Sequence, residues 1–455
     1  MPESVPAAAG RLAIPFAEQR LANGLRVIVS PDDSAPVVTV ALYYNVGFRL
    51  EPRGRTGFAH LFEHLMFQGS EQMAKLEFIR LVQQTGGVLN GSTRPDFTNY
   101  FEMLPAHALE LALWMEADRM RGPVITQAEL DNQRDVVKNE IKVNVLNRPY
   151  GGFPWIDLGE RAYRNWANSH NGYGDMQDLD AASIEDVRDF FSRYYAPANA
   201  VLAIVGDVDP DEALTLAERH FAAIPSAPAP PPPDIGEPRR EQEERFRKTD
   251  PLAQLPALAL GYHTPERGTP EFYALGLLDE ALLQGDDALL RRELVYERGL
   301  TDELHGGLNL LGHMHNGRTP MLWSPWCIHA PDASEAAVLG VIDEVLERVR
   351  ERPLSAADFE RARLKARSSL YESLSGGMFP GLGRADLLAS FALFDDDPSG
   401  ALAIEERFEE LTPELVLATA QEYLRPSNRA VLAIVPGAGE PGTGAADADA
   451  AGGAS

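Results

Sequence analysis

The chain has 455 residues, 44% of them hydrophobic and 24% charged, and carries a net charge of −27. That length exceeds what one hydrophobic core can serve and predicts two domains of roughly 200 residues each. So acidic a surface argues against nucleic acid or an anionic membrane as partner. No apolar run reaches the roughly 18 residues that a membrane span needs. The single cysteine, Cys327, excludes an internal disulfide framework and a cysteine-based zinc site.

The N-terminal segment MPESVPAAAGRLAIPFAEQR lacks a basic stretch followed by an apolar run, so no signal peptide is expected and a cytoplasmic address follows. RVIVSP and PVVTVALYYNV then read as strands, and 56–69 and 74–85 as helices. VLNGS and FTNYFEML read as strands joined by a hairpin-like turn at Thr93-Arg94-Pro95-Asp96. Helices are expected at about 106–120 and 127–146. HNGYGD, residues 170–175, reads as a loop near the site, ordering Tyr150 and the PYGG turn.

YAPANAVLAIVG at 195–206 is echoed by YLRPSNRAVLAIVPG at 423–437. A shared Tyr, Pro and Asn lead-in before AVLAIV indicates a duplicated domain, each copy closing on this strand. The expected organisation is an N-terminal domain at 12–224, a Pro- and charge-rich linker at 225–248, a homologous domain at 249–436 and a disordered tail at 437–455. The second copy opens with the strand LPALALGYH and is then mostly helical. Strands and helices in separate blocks predict an α+β fold, with two like domains of mixed or antiparallel sheet flanked by helices.

Chemistry concentrates in GFAHLFEHLMFQGS, residues 57–70. On a helix, His64 lies about 40° around the axis from His60 and one turn along, so both imidazoles can share one metal ion. Glu63 belongs to the same face, where a carboxylate can act as base beside a zinc. A third ligand is required. The helix TQAELDNQRDVVKNEIKVNVL, residues 126–146, offers Glu140, but periodicity alone does not choose it over Glu129 or Asp135.

HLFEH followed by a glutamate 76 residues later resembles the inverted-zincin peptidases: pitrilysin, insulin-degrading enzyme and the mitochondrial processing peptidases. GGVLNGSTRPDFTNYFEMLP and NQRDVVKNEIKVNVLNRPYG also resemble consecutive blocks of that family. The resemblance implies that His60, His64 and Glu140 bind Zn2+ and that Glu63 is the general base. It implies a clamshell-type assembly that acts on peptides or unfolded segments. It also implies that Val88 to Ser92, with Asn90, Gly91 and Ser92 at its centre, is an edge strand to which a peptide adds; the family usually has Asn-Ala at Asn90-Gly91. Phe97, Thr98 and Tyr100 would be its hairpin partners. Relatives often carry a glutamate seven residues before the ligand glutamate; here that position is Gln133, which is left as a supporting residue without charge.

The second half of such proteins commonly supplies an Arg and a Tyr that hold substrate. In LVYERGLTDEL, residues 294–304, those positions are Val295 and Asp302. Their loss implies that the contacts come from elsewhere. The expectation is the metal-bearing subunit of a heterodimer with a paralogous chain, with a homodimer as runner-up. The competing reading is a non-catalytic scaffold subunit of the same fold. His313 and His315, alternating around Met314, are expected on one face of a strand in a surface or interface role. His107, His170 and His263 carry no signal, and Met378 and Phe379 read as core.

Overall fold

A computed structural model describes residues 12–437. The tail and most of the segment read for a signal peptide lie outside the described residues.

Six strands form the first sheet: β1 (Ala17–Arg20), β2 (Arg26–Pro31), β3 (Val37–Tyr44), β4 (Val88–Thr93), β5 (Thr98–Pro105) and β6 (Ala200–Gly206). Their spatial order is β1-β2-β6-β3-β5-β4, with β2 and β6 parallel and the other pairs antiparallel. Five more form the second: β7 (Glu244–Asp250), β8 (Ala257–His263), β9 (His305–Leu308), β10 (Leu322–Ile328) and β11 (Arg429–Pro436). Their order is β7-β11-β8-β10-β9, again with one parallel pair, β7 with β11. Strand for strand the second sheet reproduces β2-β6-β3-β5-β4. The fold is α+β with two units of like topology, in the clamshell arrangement.

The repeated Pro-x-Asn lead-in has a physical role. Asn199 Nδ2 donates to the Tyr194 and Asn45 carbonyls, at 2.8 and 3.3 Å. Asn428 Nδ2 donates to the Tyr423 and His263 carbonyls, at 2.8 and 2.9 Å. Each buried amide therefore ties the end of a helix to the end of the neighbouring strand. Tyr194, rather than Tyr195, is the counterpart of Tyr423.

Each sheet is buried on both faces because the halves exchange cover. Val38, Val40, Leu42 and Tyr44 of β3 pack into the first half's own helices, whereas Ala41 and Tyr43 pack into a core dominated by the second half. The helix Leu382–Phe394 lies over that face. Its Ala392 carbonyl accepts from Arg26 and its Asp386 carboxylate from the Tyr43 hydroxyl, at 3.1 and 3.0 Å. In return, Phe153, Leu158 and Ala162 of the first half cover Ala430, Leu432 and Ile434 of β11. Removing either half would strip apolar surface from the other.

Three expectations need correction. β7 lies at the end of the stretch read as linker, and β1 was not foreseen. Both are edge strands with charged, mostly unburied side chains, so neither shows apolar alternation. The rest of the linker is extended but pinned: the Glu237 carboxylate accepts from the Arg164 and Asn165 amides, and buried Arg240 donates to the Arg161 and Ala162 carbonyls. Met378 is 83% exposed rather than core, while Phe379 does pack against Phe101.

Among the described residues no helix is long and apolar enough to cross a membrane.

Candidate metal centre

The first five helices are α1 (Phe58–Leu65), α2 (Glu77–Gln84), α3 (Leu109–Arg121), α4 (Gln127–Ile141) and α5 (Asp157–Ala162), and of these α1 and α4 carry the candidate ligands. In α1, Phe58, Ala59, Leu61, Phe62 and Leu65 are buried, which turns His60, Glu63 and His64 to the opposite, partly open face. The helix has no side-chain cap at Gly57. Instead the buried Glu51 carboxylate accepts the Gly57 and Ala59 amides, at 2.9 and 2.7 Å. An anion at a helix N-terminus satisfies orphan amides and the dipole together. Glu51 lies 3.5 Å from His170 Nε2. The two His170 ring nitrogens lie 2.8 and 2.6 Å from the carbonyls of Trp166 and Phe48, so the imidazole must carry both protons. Burial opposes that charge, and Glu51 raises the His170 pKa against it.

Helix α4 opens with a capping box in which Thr126 and Glu129 satisfy each other. That role removes Glu129 as a ligand, and Asp135 is exposed. Glu140 is the carboxylate that meets the histidines. His64 Nε2 lies 3.3 Å from His60 Nε2, and Glu140 Oε2 lies 3.3 Å from His64 Nε2 and 3.6 Å from His60 Nε2. Among the described residues these three form the one cluster whose donor atoms could hold a metal. A tetrahedral ion with bonds of about 2.1 Å sets its ligands about 3.4 Å apart. Burial and then His64 depress the His60 pKa to about 4, so the ring is a neutral donor. A hydrogen bond from His64 pulls the Glu140 pKa below the usual carboxylate range. Two neutral imidazoles and one carboxylate are the donor set a catalytic zinc takes, with one position left open.

Glu63 is held beside this triad by the Thr93 hydroxyl, which donates to its Oε2 at 2.7 Å. Burial raises its pKa, and the Thr93 bond partly offsets the rise. Thr93 ends β4, the edge of the first sheet, paired to β5 with Gly91 opposite Tyr100 and Thr93 opposite Thr98. Asn90 is exposed on that edge, and Ser92 Oγ donates to Asn99 at 2.6 Å. A Cβ on Gly91 would stand 3.2 Å from Glu63 Cγ, so the strand approaches the base closely. The site opens into a cleft of about 340 Å³ walled by both halves, including His60, Glu63, Ser92 and Trp155 on one side and Asn309 and Arg318 on the other. Neither Val295 nor Asp302 lines it.

Two support residues escaped sequence reasoning. The Tyr173 ring stands edge-on to His60, with centroids 5.2 Å apart, and its hydroxyl is close enough to Glu140 to help lower that carboxyl's pKa. The HNGYGD loop is indeed near the site, but it presents Tyr173 rather than ordering Tyr150, whose hydroxyl bonds Leu255. Gly57 and Gly174, with φ of 82° and 77°, make that placement possible; a Cβ on Gly174 would stand 2.4 Å from the Gly57 nitrogen. The second is Glu51. Gln133 is buried on α4, but none of the contacts of His60, His64 and Glu140 above involves it. His313 and His315 lie in an irregular segment rather than a strand, and His313 Nε2 meets Asp386 at 2.6 Å, a carboxylate too distant in sequence to be anticipated.

Residues 26–149, which carry the triad, match the family described as Insulinase (Peptidase family M16), and residues 181–365 match the Peptidase M16 inactive domain. The chain belongs to peptidase family M16. A zinc protease named PqqE from Helicobacter pylori is 25% identical over 421 residues, covering 91% of this chain and 92% of the relative. The beta subunit of the Bos taurus mitochondrial-processing peptidase is 29% identical over 201 residues, 44% of this chain and 40% of that one. Among solved structures, a protease from Helicobacter pylori superposes with a TM-score of 0.85 at 25% identity, covering 93% of this chain and 100% of that one. The periplasmic protease PqqL from Escherichia coli shares the fold, with a TM-score of 0.74 at 17% identity over 95% of this chain and 48% of that one.

Proposed function

We propose that this M16 chain is a zinc metalloendopeptidase in which His60, His64 and Glu140 hold the metal and Glu63 is the general base. The observation that carries it is the triangle of donor atoms, 3.3, 3.3 and 3.6 Å on its sides, with the Glu63 carboxylate beside it. Zinc bound there would polarise the scissile carbonyl and acidify the attacking water. An extended peptide adds to the free edge of β4, where Asn90, Gly91 and Ser92 offer backbone groups. Glu63, raised in pKa by burial, takes the proton of the attacking water and delivers it to the leaving amine. Thr93 holds Glu63 in that position.

The chain acts as the metal-bearing subunit of a heterodimer with a paralogous chain. The absence of Val295 and Asp302 from the cleft wall supports this, as does the similarity to a protein named as a subunit. A homodimer is the second possibility. A cytoplasmic address belongs to the same reading, and cell fractionation tests it against the periplasmic location that the name of the Escherichia coli relative carries.

A non-catalytic scaffold is the alternative, favoured by the match to an inactive domain. That match falls on 181–365, outside the residues of the triad, which weighs toward the enzyme. Zinc content and hydrolysis of a mixed fluorogenic peptide set, with and without the paralogue, separate these readings. Stoichiometric zinc with activity only in the mixture supports the split enzyme. Zinc-free, inert protein supports the scaffold.

A further inference from the structure

Arg94 stands where two cavities meet. It lines the 340 Å³ cleft of the metal centre together with His60 and Glu63. It also lines a neighbouring cavity of about 640 Å³, together with Asn90, Tyr43 and Asp386. Its side chain is half-buried, yet among the described residues its guanidinium makes no ion pair and no hydrogen bond. The nearby carboxylates are already engaged. Asp96 takes both its oxygens to Arg49 and accepts the Arg318 amide, Asp386 serves His313 and Tyr43, and Glu63 serves Thr93. Glu372, on the same second cavity, is exposed and forms no ion pair with Arg94.

The backbone beneath Arg94 is rigid. Its carbonyl accepts the Phe48 amide at 3.3 Å, and the Pro95 carbonyl accepts the Arg49 amide at 3.1 Å. A Cβ on Gly47 would stand 2.2 Å from the Arg94 carbonyl, so the turn is packed against that glycine. Asp96 is buried under its Arg49 ion pair. The charge of Arg94 reaches both Glu63 and Tyr43. A partly desolvated, unpaired guanidinium on a fixed turn is poised for a planar, two-oxygen anion. Arg94 immediately follows Thr93, so a peptide lying along β4 passes it close to the scissile bond.

We propose that Arg94 is a specificity-determining residue that selects peptides bearing a carboxylate near the bond to be cut. The proposal rests on the peptidase reading above and names its substrate class. It runs against the simple expectation from a chain of net charge −27, which would favour basic peptides.

The test uses the zinc-loaded full chain, with its paralogue if activity requires one. Matched fluorogenic peptides carry Glu or Gln at each position flanking the scissile bond. A second pair, with a free or an amidated C-terminus, distinguishes a side-chain carboxylate from a terminal one. For a half-exposed ion pair, the carboxylate peptide is expected to show about a fivefold higher kcat/KM at one position. Arg94→Met should bring that ratio to one, and Arg94→Lys should restore part of it. Cleavage of all peptides at equal rates by the wild type, or a preference that survives Arg94→Met, overturns the selection while leaving the peptidase intact. A chain that binds no zinc and cuts none of them overturns both.

Discussion

The Thr93 hydroxyl donates to Glu63 Oε2 at 2.7 Å, so the candidate base is tied to the strand that would carry the peptide. The same hydroxyl also reaches the Ala59 carbonyl at 3.4 Å, so Thr93 joins the helix holding the histidines to the edge that would hold substrate. Positioning of the carboxylate and of the scissile bond are therefore set by the same element, β4.

Tyr173 stands beside Glu140, the proposed third zinc ligand, and packs on His60. Tyr173→Phe keeps the ring and removes the hydroxyl. Loss of such a supporting group costs metal affinity about tenfold or more. A chelator competition should show this drop while circular dichroism and the melting temperature stay near wild type. Unchanged affinity would mean that Glu140 is oriented by α4 alone.

Gly91 lets β4 lie against Glu63. In Gly91→Ala the new Cβ meets Glu63 Cγ at 3.2 Å and the Asn99 carbonyl at 3.3 Å, so the base or the strand must move. The expected result is full zinc content with kcat/KM lowered about tenfold, as small displacements of a reacting group produce. A loss of zinc instead would place the damage in α1 rather than at the base.

Asp279, buried in the second half, accepts from Trp323 Nε1 at 2.6 Å and from Gln284 Nε2 at 3.0 Å. Burial raises its pKa to about 7. The folded chain then holds a proton there that the unfolded chain releases near pH 4, so stability falls as pH rises from about 4 to 7. Asp279→Asn should flatten that part of the stability–pH curve. The check is chemical denaturation at several pH values in that window; identical slopes in the two proteins would contradict it.

Much of this was legible in the sequence because the signals are local. His60, Glu63 and His64 sit within one helical turn and a half, and the repeated Pro-x-Asn lead-in to AVLAIV, one residue longer in the second copy, marks two equivalent strands whose Asn side chains do the same job. Glu140 needed the resemblance, since a helix with several carboxylates does not say which one faces a partner 76 residues earlier. The structure separates them: Glu129 is spent on a cap and Asp135 faces solvent. Tyr173 and Glu51 reach the site through tertiary packing, one through the contact of Gly57 with Gly174 and the other from beneath α1. Neither carries a spacing that could announce it. β1 and β7 were missed for a different reason: edge strands dressed in charge have the composition of a linker. The alternation of His313 and His315 reads as a strand, but their segment is irregular; Asp386, which meets His313, comes from a helix that lies over the other half's sheet.

The most direct test is zinc content and peptide hydrolysis of the wild type beside Glu63→Gln, each alone and with the paralogous chain. The account predicts one zinc per chain in both proteins, hydrolysis by the wild type in at least one setting, and none by Glu63→Gln in any. Equal hydrolysis by Glu63→Gln, or a wild type that holds no zinc, would contradict it.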